Sequence, residues 1–139
     1  MIRQIKLEKY IKRFTGKIYK VYSFRYIHDG YAAITDTVNK RLDILHEQVN
    51  IKPVIWHEMG HIIFDHIDAS PLEDEYNAQM WALGELLKRG YTKIFEESIE
   101  WIKNDWPDTD NPTPTDEVYL IVRDKILNLI RNEGIKPND

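Results

Sequence analysis

Leu7, Tyr10, Ile11 and Phe14 recur at offsets of three and four, so residues 2–15 read as an amphipathic helix that Gly16 ends. From Lys17 to Tyr26 the chain turns to Tyr, Val, Ile and Phe, a composition that suits a pleated strand. Asp29-Gly30 is a turn signal, Tyr31 to Val38 reads as a second strand, Asn39-Lys40 as another turn, and Arg41 to His46 as a short third strand. These segments predict a small antiparallel sheet of about three strands.

Beyond the sheet the period changes to that of helices. One runs from about Pro53, a residue tolerated in a first turn, to about Ile67. Ser70-Pro71-Leu72-Glu73 opens the next, with Ser70 as N-cap, Pro71 at N1 and Glu73 at N3 of a capping box, and Gly90 suits its C′ position. A helix from about Thr92 to Trp106 carries Phe95, Ile99, Ile102 and Trp106 on one stripe. Residues 107–114 form a loop rich in proline and aspartate. A last helix over 115–133 buries Val118, Val122, Ile126 and Leu129 and stops at Gly134. The expectation is one α+β domain over 1–139, a zincin-like arrangement in which the sheet packs on the helix of Pro53 and several further helices.

That helix holds the candidate chemistry. His57-Glu58-Met59-Gly60-His61 is a complete HExxH motif. Residues four apart lie on one helix face, so two imidazoles can meet one cation. Zinc accepts neutral imidazole nitrogen. Glu58, one position along, is offset from the ligand pair and can act as general base on a water. Ile55, Met59, Ile62 and Ile63 form the opposite, anchoring face, and Gly60 lets another backbone come close. The bland alternative is a pair of hydrogen-bonded histidines on a core helix with no metal. His46-Glu47 does not repeat the motif, because Asn50 stands where a second His is needed.

A catalytic zinc needs a third protein ligand. A metzincin would place Gly at 64 and His at 67, where this chain has Phe64 and Ile67. The remaining option is a Glu on the next helix, with Glu73, Glu75 and Glu85 as candidates. Glu75 is favoured, since it shares a stripe with Ala78, Ala82 and Leu86, and the two alanines permit a close approach. Glu73 has the capping box to serve, and Glu85 is off the stripe. An exposed first-turn acid is the plainer reading of Glu75. His66 reads as a surface or packed residue. Asp65 is balanced between supporting His61 and being a solvated acid.

The run His57 to His66, followed by Glu75-Tyr76-Asn77-Ala78-Gln79-Met80-Trp81-Ala82-Leu83-Gly84-Glu85-Leu86-Leu87, resembles the ImmA/IrrE metallopeptidase family. That family pairs HExxH with a downstream helix of the form E-x-x-A-x-x-(F/W)-A-x-x-x-L-L. The resemblance covers roughly residues 30–90. It implies that His57, His61 and Glu75 bind Zn2+ and that Glu58 is the catalytic glutamate. It further implies a hydrolase of phage or mobile-element origin whose substrate is a cytoplasmic protein such as a helix-turn-helix repressor. Asn77 stands where a second Glu is common, and Gln79 where many gluzincins carry an acid.

An extended substrate is expected to pair with a strand edge, that of Tyr31 to Val38. Tyr76, Tyr91 and Tyr119 are possible oxyanion donors, though each reads more simply as a packed aromatic. The rival function is a catalytically inactive zincin-like protein that binds a partner stoichiometrically.

Composition narrows the field further. The absence of cysteine excludes disulfides, thiolate zinc ligands and thiol catalysis. No stretch reaches membrane-spanning length, and the basic start is not followed by an apolar run, so a cytoplasmic location is expected. The net charge is −4, yet residues 1–26 carry basic side chains with Glu8 as their only acid. With no nucleic-acid motif present, that basic end reads as a solvated surface, and no direct nucleic-acid binding is expected.

Overall fold

The computed structural model describes residues 1–27, 31–107 and 114–139, and the chain divides into two compact units, Met1–Ile67 and Asp68–Asp139. The turn expected at Asp29-Gly30 lies outside the described residues, as does all but the two ends of the loop expected over 107–114.

The first unit is α+β. It runs β1 (Ile2–Arg3), α1 (Ile5–Thr15), β2 (Lys20–Phe24), β3 (Ala33–Asp36), β4 (Arg41–Leu45), a 3-10 turn over His46–Gln48, and α2 (Lys52–Ile63). The four strands lie in the order β1-β2-β4-β3. β1 and β3 run antiparallel to their neighbours, whereas β2 and β4 are parallel, with Val21 opposite Leu42 and Ser23 opposite Ile44. The expected purely antiparallel sheet of three strands is therefore corrected to a mixed sheet of four. Two physical causes account for this. β4 buries Leu42 and Ile44 completely and takes the central place, while β3 turns back on it through a tight hairpin and becomes the edge. β1, at two residues, is too short to carry a period.

The β3–β4 hairpin is closed by Asp36, whose carboxylate accepts from the backbone N–H of Val38 and Asn39 and from Asn39 Nδ2. Lys40 completes it in the left-handed region at φ 54°. α1 ends at Gly16, at φ 71°, where its N–H returns to the carbonyl of Lys12. Leu7, Ile11 and Phe14 of α1 are buried with Val21, Leu42, Ile44 and the apolar residues of α2. Trp56 joins α2 to α1: its ring lies 4.9 Å from that of Phe14, and its Nε1 donates to Tyr10 Oη at 3.0 Å.

α2 ends four residues earlier than the apolar pattern suggests. Lys17, expected to open a strand, places Nζ 3.1 Å and 3.2 Å from the carbonyl oxygens of Ile62 and Ile63. A cation on those terminal carbonyls closes the helix.

The second unit is helical: α3 (Pro71–Lys88), α4 (Thr92–Asn104) and α5 (Pro114–Asn132). Ser70 Oγ accepts from Glu73 N at 3.2 Å with Pro71 in the first turn, as the capping pattern predicts. Gly90 and Gly134 follow their helices at φ 73° and 77°. Leu83, Ile102, Trp106, Val122 and Ile126 make the core of this unit, flanked by half-buried Tyr76, Phe95, Ile99 and Tyr119. The C-terminal tail returns to α3. Asn138 N donates to Gly84 O, and its Nδ2 to Trp81 O and to Glu85 Oε2.

Among the described residues no helix is long and apolar enough to cross a membrane.

Candidate metal centre

α2 is buried from Pro53 to Ile62, polar residues included. His57, Glu58 and His61 retain 5%, 8% and 9% exposure, so the chemistry of the motif is set inside an apolar helix rather than on an open face. Ile55, Met59 and Ile62 are fully buried and anchor that helix as the pattern predicts, while Ile63 is half-buried.

The two imidazoles converge. His57 Nε2 and His61 Nε2 lie 3.2 Å apart, with the ring planes at 89°. Two nitrogens at the usual zinc distance, subtending a tetrahedral angle, are separated by roughly 3.3 Å. The separation is therefore compatible with two corners of a zinc site. The alternative of two histidines merely sharing a proton is compatible with the same separation. Glu58 lies about 100° round the helix from His57. Its Oε2 accepts a hydrogen bond of 2.6 Å from Thr35 Oγ1, on edge strand β3, which packs against α2.

Thr35 is the contact that sequence reasoning missed. It stands 23 residues from Glu58. Its only signal in the sequence was its place within the strand expected to flank the site.

Glu75 lies in the second unit, on the opening turns of α3, and is half-buried; Ala78, Ala82 and Leu86 on its stripe are buried, as its assignment to an inward face requires. The rival acids are placed differently. Glu73 is exposed in the capping turn. Glu85 is buried, its Oε1 accepting from Arg89 Nε and Nη2 and its Oε2 from Asn138. Gln79, one turn on from Glu75, is buried, and its Nε2 has no hydrogen-bond partner among the described residues. Such an orphan costs about 1–3 kcal/mol.

Asp65 proves to be neither a solvated acid nor, among the described contacts, a partner of His61. Its side chain is 5% exposed and accepts from Lys17 Nζ at 2.6 Å, Lys40 Nζ at 2.9 Å and Tyr19 Oη at 2.9 Å. Burial pushes its pKa up, but donation from Lys17, Lys40 and Tyr19 more than offsets this and holds the carboxyl well below its ordinary range. Burial, and then the bond to Asp65, pushes the Tyr19 hydroxyl up. His66 is exposed, as expected. His46 donates to or accepts from the buried Ser23 hydroxyl at 2.8 Å, which gives it a structural place at the end of β4. Tyr76 and Tyr119 pack against the core of the second unit, with the Tyr119 ring 5.7 Å from that of Trp106.

Comparison with known protein families, with curated proteins and with solved structures finds no match to this chain.

Proposed function

We propose that this chain is a zinc-dependent metallopeptidase of the ImmA/IrrE kind, with a zincin-like fold, that hydrolyses peptide bonds of a cytoplasmic protein. The observation that carries this reading is the 3.2 Å approach of His57 Nε2 and His61 Nε2 with the Glu58 carboxylate beside them on one helix. The sequence pattern gives His57, His61 and Glu75 as the proposed ligand set, two histidines and a carboxylate. The inward stripe of Glu75, the exposure of Glu73 and the engagement of Glu85 with Arg89 and Asn138 favour Glu75 as the third ligand.

When bound, zinc supplies a Lewis acid that polarises a carbonyl and acidifies a water. Glu58 takes a proton from the attacking water on its carboxylate and returns it to the leaving amine, so the residue ends the cycle as it began. β3 lies at the end of the sheet order, and an extended peptide that added to it would gain main-chain hydrogen bonds beside Glu58. Given the motif resemblance, a helix-turn-helix repressor of a phage or mobile element is the proposed substrate.

The test uses protein purified without chelator. About one zinc per chain is expected in the wild type, with loss of most of it in His57→Ala. Glu58→Gln should keep the metal and lose cleavage of candidate substrates. Full biological activity in that variant would favour the rival, a zincin-like protein that binds its partner stoichiometrically. Metal content that His57→Ala leaves unchanged would remove the zinc assignment.

A further inference from the structure

The hydrogen bond from β3 to Glu58 does more than fill a buried acceptor. Ala32 O accepts from Leu45 N, and the register of the hairpin sets Ala33 opposite Ile44 and Thr35 opposite Leu42. Antiparallel pairs alternate between hydrogen-bonded and non-hydrogen-bonded partners. Ala32–Leu45 is of the first kind, so Thr35–Leu42 is of the second. The backbone N–H and C=O of Thr35 consequently point away from β4, toward the outer edge of the sheet, where no described strand pairs with β3. One residue thus presents its main chain to the edge and its hydroxyl to the Glu58 carboxylate, at 2.6 Å.

We propose that Thr35 is a positioning residue for Glu58: its hydroxyl fixes Oε2 and leaves Oε1 to face the water, and its main chain ties that orientation to occupancy of the strand edge. This rests on the metallopeptidase reading. A carboxylate at the end of three rotatable bonds has to be held if one oxygen is to meet a water reproducibly. Glu58 has no cation among the described residues to hold it, and the Thr35 hydroxyl is the one described donor to it. A short O–H···O⁻ bond is of the stronger class. Loss of such an outer contact commonly costs 10–100-fold in activity.

The experiment has two arms. In the zinc-loaded full chain, assayed on a fluorescence-quenched library of unstructured peptides, Thr35→Val should lower kcat about 10-fold or more. Its KM and zinc content should be nearly unchanged, and Thr35→Ser, which restores the hydroxyl, should recover most of the rate. In the metal-free chain, a double-mutant cycle of Thr35→Val and Glu58→Ala should show melting-temperature shifts that fail to add by roughly 3 °C. The second arm reads the bond itself without any activity. Wild-type kcat in Thr35→Val, failure of Thr35→Ser to restore the rate, or additive shifts in the cycle would each overturn the assignment of Thr35. A wild type that cleaves nothing in the library defeats the metallopeptidase reading instead and takes the positioning role with it, even where the cycle shows coupling.

Discussion

Glu58 and Asp65 lie seven residues apart, one in the body of α2 and one just past its end, and their side chains are both withdrawn from water. Their surroundings differ sharply. Asp65 is met by two ammonium groups and a phenol, and the lysines come from segments 48 and 25 residues away. Glu58 is met by one hydroxyl. A carboxylate with its charge balanced and its lone pairs filled is an inert fastener, and the one at position 65 clasps the start of β2 and the β3–β4 turn to the end of the helix. A carboxylate held by a single neutral donor keeps an oxygen free for chemistry. Under the proposed function, the pattern of partners, more than burial, separates a structural acid from a working one.

The sharpest way to break that contrast is to neutralise each acid in turn. Glu58→Gln is expected to reduce peptide hydrolysis by about 100-fold or more, the usual scale of general acid–base catalysis, and to leave the unfolding midpoint near that of the wild type. Asp65→Asn should do the reverse. It removes a charged acceptor from three donors and should cost about 2 kcal/mol in urea unfolding, since bonds to charged groups are worth about 1.5–3 kcal/mol each and the partly exposed lysines recover some hydration. Zinc content and kcat should hold in the surviving folded fraction. A large stability loss in the first variant, or a large kcat loss with full stability in the second, would erase the distinction.

The pH dependence of stability follows from the same clasp. The folded pKa of Asp65 is depressed, so its contribution is in place above the unfolded carboxylate value of about 3.9 and is lost as pH falls below that toward the folded value. The folded pKa of Tyr19 is raised, so its contribution is in place below about 10 and is lost as pH rises past that point. Urea midpoints should therefore form a plateau between roughly pH 4 and pH 10 that falls at both ends. In Asp65→Asn the acid limb should flatten. An unchanged acid limb in that variant would mean that other carboxylates, Glu8 beside Arg3 foremost, govern acid unfolding.

These contrasts explain what the sequence could and could not reveal. Local spacing carries local geometry. The i, i+4 histidines, the caps at Ser70, Gly16 and Gly90, and the stripe of Ala78, Ala82 and Leu86 were all readable, because each depends on neighbours within a turn or two. The parallel pairing of β2 with β4 was not, since it depends on which strand buries both apolar residues completely. Nor were the partners of the two acids. Thr35, Lys17, Tyr19 and Lys40 reach Glu58 and Asp65 across 23 to 48 residues, and no spacing rule connects them. The converging imidazole pair was legible, while the groups that hold Glu58 and fasten the helix end were set by tertiary contacts.

Glu85 offers the gentlest test of the same distinction, in the second unit. It too is buried, and Arg89 and Asn138 fill both of its oxygens, so by its partners it belongs with Asp65. The clasp here depends on a glycine: a Cβ on Gly84 would meet the Asn138 side chain, which already donates to Trp81 O and Glu85 Oε2. Gly84→Ala gains about 1 kcal/mol of helix propensity and gives up hydrogen bonds of about 1 kcal/mol each as the tail is pushed off. Three bonds stand against one propensity gain, so stability should fall by a net of about 1–2 kcal/mol. Hydrogen exchange should show the Asn138 amide losing its protection, since its acceptor is Gly84 O. Asn138→Ala should cost about 1 kcal/mol, because it leaves Glu85 Oε2 without its donor and offers no propensity gain. If Asn138→Ala instead left stability untouched, Arg89 alone would suffice to balance a buried acid, and one partner could no longer be taken as the mark of a carboxylate kept free for chemistry.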